Sequence, residues 1–300
     1  MNSSEINRYK RLIESSNVYD VALITPITKA NQLSKTLKNE ILLKREDLQP
    51  IFSFKVRGAY NKLAKLRQNG LTGPVIAASA GNHAQGVSFG AKNLGIKAYI
   101  VMPITTPSIK VDSVKNYGGK VILKGDNFDE AFKYAEELAK KENYTFIHPY
   151  DDRDVIAGQG TVGKELIEQI DNGMDVVFVP VGGGGLLAGL GSYIKSVNPK
   201  IKIIGVEPED AACLKLALDN NKRLSLAEVG LFADGVAVKQ IGKNTFSLIR
   251  QWIDDVITVS VDEMCAAVQD TFQETRTVPE PAGALALAGL KKYCQSRRLK

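Results

Sequence analysis

The sequence predicts an α/β protein of two lobes, each built on a sheet of mainly parallel strands flanked by helices. Short apolar runs that suit buried strands alternate with helical patterns along most of the 300 residues. The alternation comes in two series, and no low-complexity segment separates them. We therefore expect the smaller lobe to be inserted into the larger one, with the two enclosing a cleft. A chain of this length with 44% hydrophobic residues can bury such a core.

The first half of the chain carries an N-terminal stretch of elements and, from residue 53 onwards, the elements of the smaller lobe. A helix with a polar outer face is predicted at 4–16, a connector at 17–26 and a short strand at 41–44. Further strands are predicted at 75–78, 98–102, 120–123 and 145–147, and helices from Lys55, at 82–94, from about Pro107 and at 129–141. The helix at 129–141 places its alanines on one face and its charges on the other, as an amphipathic helix on a sheet does.

The second half repeats the alternation and defines the larger lobe. Helices are predicted at 158–170, at 185–196, and from about Asp262 and Pro281, with strands at 175–179, 202–206 and 256–259. We therefore assign 1–52 and 153–300 to a larger, cofactor-binding lobe and 53–152 to a smaller, substrate-binding lobe.

Composition and charge narrow the class of protein. The net charge is +6, with acids and bases interspersed, and the dense basic cluster Lys291–Lys300 suits a helix end better than a nucleic-acid-binding tail. No run of eighteen apolar residues predicts a membrane span, and Met1–Lys10 lacks the apolar core of a signal peptide. The three cysteines are too far apart for a disulfide framework or a zinc site, so we expect a cytoplasmic protein without a structural metal.

Lys55 stands where a buried amphipathic helix should begin. Ser53 is a suitable N-cap, which places Lys55 in the first turn beside the positive end of the helix dipole and near Arg57. Positive surroundings and partial burial lower the pKa of an amine, and a neutral amine can form an imine with an aldehyde cofactor. For a lone lysine, the alternative is an ordinary solvent-exposed side chain.

Four glycines, 182–185, follow an apolar strand and open a helix. Unobstructed backbone N–H groups at a helix N-terminus form a site that fits a phosphate. The alternative without a ligand is a tight turn. A dinucleotide is an alternative ligand for this loop. Gly183, Gly185 and Ala188 fit the G-x-G-x-x-A form of the dinucleotide fingerprint, and Glu207 ends the next strand, about where a ribose-binding acid would lie. That interpretation predicts NAD binding.

Two more loops follow predicted strands. The small residues of Ser79–Gly86 leave N–H groups free at a helix start, which suits a carboxylate, and the Asn82 amide can both donate and accept hydrogen bonds. For His83, a packing or capping role is the alternative. The acids of Glu207–Cys213 are a third candidate, for a cation, although their spacing is unlike that of a calcium loop; the alternative is a solvent-exposed helix N-terminus rich in acids.

At these loops the chain closely resembles the pyridoxal-phosphate enzymes of fold type II, and among them the biosynthetic threonine deaminases (threonine ammonia-lyases). The resemblance runs from about residue 7 to 292 and includes the stretches 44–49, 230–238 and 280–284. It implies a tryptophan-synthase-β-like α/β fold. It also implies pyridoxal 5′-phosphate as the cofactor, a small amino acid as substrate, no nucleic-acid partner, and a homo-oligomer, either a dimer or a tetramer.

The resemblance also implies a role for each matching residue. Lys55 would hold the cofactor covalently and remove the α-proton of the substrate, and Phe54 would stack on the cofactor ring, whose 3′-hydroxyl Asn82 would bind. The phosphate would be bound by Gly182, Gly183, Gly184, Gly185 and Leu186. The substrate carboxylate would be bound by Ser79, Ala80, Gly81, Asn82 and His83.

The implied reaction is deamination of L-threonine to 2-oxobutanoate and ammonia, the first step of isoleucine biosynthesis, with L-serine as a secondary substrate. Ala80 matches a serine that serine racemases use as a second acid or base. Because a methyl group cannot move a proton, elimination is favoured over racemisation.

The sequence departs from the family pattern at two places. It lacks the Ser-Gly-Ala-Asn loop, the last strand of the large lobe and the regulatory domain that follow the helix 281–293 in relatives. We therefore expect either a fragment of a longer protein or an early end of the reading frame, and a truncated, non-catalytic cofactor-binding relative stays an alternative. Cys213 stands at a position that resembles a cation ligand of some relatives, which argues against a metal there.

Overall fold

The computed structural model describes residues 3–297, which form two compact units. The larger unit draws its described residues from Met1–Arg11, Thr25–Arg45 and Val162–Lys300, and the smaller unit comprises Leu12–Ile24 and Glu46–Thr161. Residues 12–24, 46–52 and 153–161 thus belong to the smaller unit, whereas the sequence analysis placed them in the larger lobe. The assignment of one lobe to the cofactor and the other to the substrate stays a prediction.

Strands and helices alternate along most of the described chain. In chain order they are α1 (Ser3–Glu14), β1 (Ile27–Lys29), α2 (Asn31–Leu37), β2 (Leu42–Lys44), α3 (Lys55–Gln68), β3 (Val75–Ala78), α4 (Asn82–Asn93), β4 (Ala98–Met102), α5 (Ser108–Asn116), β5 (Lys120–Leu123), α6 (Phe128–Lys141), β6 (Thr145–Phe146), α7 (Arg153–Gln169), β7 (Val176–Pro180), α8 (Gly185–Val197), β8 (Lys202–Pro208), α9 (Cys213–Asp219), α10 (Lys243–Ile249), β9 (Asp255–Val259), α11 (Val261–Thr275) and α12 (Pro281–Arg297). Short 3₁₀ turns lie at Val18–Asp20, Glu46–Leu48, Glu209–Ala211 and Asp234–Val236.

The smaller unit is built on a parallel sheet in the order β5-β4-β3-β6. All four residues of β3 are buried, because successive side chains point to opposite faces and helices cover both. Val75 and Ala77 pack in a core that includes Leu63 of α3, whereas Ile76 and Ala78 pack in one that includes Ala131 of α6.

The larger unit contains the parallel sheet β7-β8-β9 and a separate antiparallel pair, β1-β2. Helix α12 lies against this sheet so closely that a Cβ on Gly289 would be 2.4 Å from Val206 Cγ2. On α8, a Cβ on Gly191 would be only 2.0 Å from Cη2 of Trp252. The predicted α/β class with parallel sheets flanked by helices is confirmed.

The helix boundaries differ from the prediction in a few places. Helix α7 begins at Arg153 rather than at 158, and α1 ends at Glu14 rather than at 16. The short elements β1, α2 and α10 were not predicted, whereas α9 begins where the alternative for Glu207–Cys213 placed a helix N-terminus. Within the C-terminal basic cluster, Lys291 pairs with Asp270 and Lys292 with Glu263, as on a solvated helix face, while residues 298–300 lie outside the described part of the chain.

The described residues offer neither a membrane-spanning helix nor a cluster of metal ligands. No helix between residues 3 and 297 combines the length and the apolar character needed to cross a bilayer. The same residues contain no group of three or more histidine, cysteine or acidic side chains placed to hold a metal ion.

Candidate active site

Lys55 is the first residue of α3 and is half-buried. Its Nζ donates a hydrogen bond to the carbonyl oxygen of Pro149 at 3.3 Å and lies 5.4 Å from the centroid of the Phe54 ring. Phe52, just before the helix, has a φ of 58°, which is unusual for a bulky side chain. The backbone thus turns sharply at the point where it presents Phe54 and Lys55.

The prediction that Ser53 caps this helix is wrong. Phe54 occupies the N-cap position without a side-chain cap, and Ser53 therefore lies one residue too early to reach the N–H groups of the first turn. The Ser53 hydroxyl is buried, and it has no hydrogen-bond partner among residues 3–297. A buried hydroxyl without a partner is costly, which makes it a candidate for binding a ligand.

Arg57 does not supply the free positive charge that the sequence analysis placed near Lys55. Its guanidinium is fully buried and binds both carboxylate oxygens of Glu46, at 2.7 Å each. It also donates to Thr161 Oγ1 and to the carbonyl oxygen of Leu23. Arg57 is therefore a neutralised structural anchor that joins four segments of the smaller unit.

The Ser79–His83 turn lies between β3 and α4, in the same unit as Lys55. Gly81 is the N-cap of α4, makes no side-chain cap and donates its N–H to Ser79 Oγ at 3.2 Å. Helices α4 and α3 touch, since a Cβ on Gly86 would be 3.0 Å from the carbonyl oxygen of Lys55. The turn and the lysine are thus held together by close helix packing.

His83 is a buried, neutral histidine. Its Nε2 lies 3.0 Å from the carbonyl oxygen of Ile147 and must carry the proton, because a carbonyl only accepts. Burial lowers the pKa of His83 to about 3, and the nearby charge of Lys55 acts in the same direction. The packing role given as the alternative for His83 describes these contacts, but Nδ1 is buried without a hydrogen-bond partner in the described structure.

His148 lies beside this group, and the sequence analysis missed it. Its Nδ1 accepts the N–H of Asp151 at 2.9 Å and that of Tyr150 at 3.3 Å. Burial lowers the pKa of His148, against the opposing effect of nearby acids. The available signal was that the chain has only two histidines and that this one directly follows a strand.

The glycine loop belongs to the larger unit and connects β7 to α8. Gly184 is the N-cap of α8 with a φ of 88°, and a Cβ there would be 2.7 Å from Ile241 Cδ1. A Cβ on Gly182 would be 2.9 Å from Val236 Cα. Packing therefore requires glycine at two of the four positions, whether or not a ligand binds.

The loop is also anchored through its backbone. The carbonyl oxygen of Gly183 accepts a hydrogen bond from Thr245 Oγ1 at 2.8 Å. The N–H groups of the first turn of α8 have no carbonyl partner within the helix, so they can bind an anion. Leu186 is half-buried in that turn.

The Glu207 side chain binds the backbone at the start of α9 and does not face solvent. It is fully buried at the end of β8, and its two oxygens accept the N–H groups of Leu214 at 2.7 Å and Lys215 at 2.8 Å. Burial raises its pKa to about 7. The Cys213 thiol donates to the carbonyl oxygen of Gly182 at a sulfur–oxygen distance of 3.5 Å.

These contacts revise two expectations for the acidic loop. The expectation of a solvent-exposed acid is wrong for Glu207, whose carboxylate instead caps α9. Because both carboxylate oxygens already accept backbone N–H groups, the structure does not support Glu207 as a ribose ligand, which weakens the case for NAD.

The predicted site residues thus form two groups. Lys55, Phe54 and the turn Ser79–His83 lie in the smaller unit, and the loop Gly182–Leu186 lies in the larger unit.

Comparison with known proteins places the chain among described families. The model of the family "Pyridoxal-phosphate dependent enzyme" matches residues 19–300. A biosynthetic L-threonine dehydratase of Pasteurella multocida is 55% identical over 291 residues, which cover 97% of this chain and 56% of that protein.

Solved structures agree with this match. The processed form of threonine deaminase isoform 2 from Solanum lycopersicum superposes with a TM-score of 0.97 at 46% identity, over 100% of this chain and 82% of that one. Maize serine racemase superposes with a TM-score of 0.91 at 30% identity, over 97% and 88%. The chain spans about half the length of the curated relatives it matches, from 48% to 57%.

Proposed function

This chain belongs to the pyridoxal-phosphate dependent enzymes, and we propose on that basis that it deaminates L-threonine to 2-oxobutanoate and ammonia. The observation that carries the proposal is the 55% identity with a biosynthetic threonine dehydratase over 97% of the chain. Because the chain covers only about half of such relatives, activity of this chain by itself needs a direct test.

The residues around Lys55 fit the aldehyde end of the cofactor. Two buried polar atoms without partners among the described residues, Ser53 Oγ and His83 Nδ1, belong to the same unit as Lys55. Lys55 begins α3 and His83 lies in the first turn of α4, and these two helices are in contact beside Gly86. Unsatisfied buried polar atoms beside an amine are what a polar ligand would complete.

The glycine loop fits the phosphate end. Its backbone is held by Thr245, and its helix begins with N–H groups that no side chain caps. We propose that Gly182–Leu186 bind a phosphate and, as a separate assignment within the smaller unit, that Asn82 binds the ring hydroxyl of the cofactor. Phe54, whose ring lies beside the Lys55 amine, would stack on the cofactor ring.

The proposed mechanism gives each group of residues one task. When bound, pyridoxal phosphate withdraws electrons from the α-carbon of an attached amino acid. Lys55 would hold the cofactor through Nζ, and the same atom, when free, would accept the α-proton. The Ser79–His83 turn binds the carboxylate through N–H groups at the start of α4, and His83 stays neutral.

Ala80 directs the reaction toward elimination. Its methyl group has no proton to give, so protonation from the face opposite Lys55 lacks a donor at this position. L-serine should react as a poorer substrate, because one methyl group is worth about 1–3 kcal/mol of discrimination.

Loading the purified chain with pyridoxal phosphate and adding L-threonine tests the proposal. We expect a yellow protein whose visible spectrum changes on addition and that releases 2-oxobutanoate. A yellow protein without turnover would contradict catalysis and favour the truncated, non-catalytic alternative. A colourless protein that binds NAD would exclude both.

Replacing Lys55 with alanine tests the central residue. We expect the Lys55→Ala chain to lose the visible absorbance of covalently bound cofactor and all turnover, because no other group of this site carries an amine. Borohydride reduction of the wild-type chain followed by peptide mapping should place the label on Lys55. A label elsewhere would show that the assignment is wrong.

The setting of the reaction is also proposed. The names of the biosynthetic relatives support a role in isoleucine biosynthesis.

The three free cysteines are consistent with a reducing compartment such as the cytoplasm, which cell fractionation would test. Exposed apolar side chains on the smaller unit, Leu23, Ile24 and Phe52, support a homo-oligomer that sedimentation would detect.

A further inference from the structure

Both histidines of the chain bind one short segment, residues 147–151, which directly follows β6. The buried ring of His83 donates from Nε2 to the carbonyl oxygen of Ile147 at 3.0 Å. The ring of His148 folds back along the chain, and its Nδ1 accepts the N–H of Asp151 at 2.9 Å. The segment is therefore fixed at both ends by imidazole nitrogens.

The middle of the segment holds the Lys55 amine. The carbonyl oxygen of Pro149 accepts a hydrogen bond from Lys55 Nζ at 3.3 Å. This carbonyl lies between the residue bound by His83 and the residue bound by His148. Its direction therefore depends on both histidines.

The His148 ring is locked in the orientation that this turn needs. It packs edge-on against Tyr150, with centroids 4.7 Å apart, and against Phe132, at 5.9 Å. Burial and the charge of Lys55 lower the pKa of His148, while Asp151 and Asp152 oppose them. The neutral ring keeps the Nδ1 lone pair that accepts the backbone N–H groups.

We propose that His148 is a positioning residue for Lys55: its Nδ1 holds segment 147–151 so that the Pro149 carbonyl fixes the direction of the Lys55 amine. The inference rests on the proposed role of Lys55 in holding the cofactor. It adds a contributor that acts through the backbone and touches neither substrate nor cofactor.

Two substitutions at one position separate the hydrogen bond from the packing. In His148→Asn, the side-chain oxygen can accept the N–H groups two and three residues later, as in an Asx turn. In His148→Leu, an apolar side chain of similar size offers no acceptor. Amide hydrogen exchange at Tyr150 and Asp151 in the cofactor-free chain reports the turn, and the rate of covalent capture of pyridoxal phosphate reports the amine.

We expect His148→Leu to speed exchange at both amides and to slow capture about five- to tenfold, the effect of losing about one hydrogen bond. His148→Asn should stay within about twofold of the wild-type chain on both measures. Wild-type capture by His148→Leu, or equal slowing of both variants, would overturn the proposal.

The experiment still tests the proposal if the His148→Leu chain does not fold. If His148→Leu is unfolded, near-wild-type capture by His148→Asn supports the proposal, and a loss of about tenfold or more overturns it. The Lys55→Ala chain distinguishes a failure of the proposed function from a failure of the proposal for His148. Covalent capture of pyridoxal phosphate by the Lys55→Ala chain would show that the proposed function is wrong. Hydrogen exchange at the Tyr150 and Asp151 amides tests the hydrogen bonds of His148 without any cofactor.

Discussion

Glu207 combines full burial, a carboxylate and two backbone N–H bonds, so its protonation should affect stability. Burial raises its pKa from 4.5 to about 7. A raised pKa means that the folded chain holds the proton more tightly than the unfolded chain. The stabilisation is therefore complete below about pH 4.5 and is lost as the pH rises to about 7.

We expect Glu207→Gln to remove this pH dependence, because an amide does not titrate. Between about pH 5 and 7, the free energy of unfolding of the wild-type chain should fall more steeply, by up to about 1.4 kcal/mol per pH unit. Urea unfolding at several pH values measures the slope. Glu209→Gln, at an exposed acid two residues later, is the matched control, and parallel curves for wild type and Glu207→Gln would contradict the expectation.

Single residues show where sequence reasoning failed near the site. It identified Lys55 as unusual, but it used Ser53 as a cap and Arg57 as a free charge. Both predictions are wrong. Ser53 does not cap the helix because Phe54 occupies the N-cap position, and the charge of Arg57 is balanced by Glu46, eleven residues earlier. His148 was missed because its partners are backbone N–H groups, which a sequence does not display.

At the scale of elements, the glycine loop between β7 and α8, for which we propose phosphate binding, is tightly packed. Gly184 has a positive φ and its missing Cβ would contact Ile241. Thr245 holds the neighbouring carbonyl oxygen. A side chain at this position would therefore move the N-terminus of α8.

We expect Gly184→Ala to raise the dissociation constant for pyridoxal phosphate at least about tenfold, while that for pyridoxal, which lacks the phosphate, changes little. Binding titrations with both compounds measure the difference. Gly173→Ala is the matched control, because Gly173 also has a positive φ (78°) but no atom lies near its missing Cβ. An equal loss for both compounds would show that the loop does not bind the phosphate.

Elements with a strong sequence pattern were predicted well. The bounds of β3, β4 and β5 agree with the prediction, because each strand is a short apolar run between turn residues. Helices α2 and α10 have seven residues each and were missed, and for α9, also of seven residues, only a helix start was suggested. Such short helices show little periodicity, and α9 depends on a cap from Glu207, which lies in the preceding strand.

At the scale of the molecule, the smaller unit is assembled from two separate chain segments. Val18 and Ala22 of the first segment pack with Ile51 and Val56 of the second. The Leu23 carbonyl oxygen accepts from Arg57. The first segment is therefore part of the core of this unit, while 17–26 joins α1 to β1 with only a short 3₁₀ turn, as expected of a connector.

We expect a fragment 12–161 to be more stable than a fragment 46–161 by about 3 kcal/mol or more, from lost apolar burial and an unsatisfied arginine. Urea unfolding of both fragments, followed by circular dichroism, measures the difference. Equal midpoints would contradict this division of the chain.

The overall class was predictable because alternation of strands and helices determines which surfaces must be covered. The unit boundaries were not, since they depend on contacts such as that between Arg57 and Leu23, 34 residues apart. The predicted connector 17–26 contains apolar residues such as Val18 and Ala22, but their partners Ile51 and Val56 lie about thirty residues further along the chain.

The three cysteine thiols differ in exposure, which allows one of them to be labelled selectively. Cys265 of α11 is exposed, whereas burial raises the pKa of the Cys213 and Cys294 thiols. A maleimide dye at neutral pH should therefore attach at a single place in the larger unit without any engineering. Its fluorescence would give a signal for events in that unit which is independent of the colour of the cofactor.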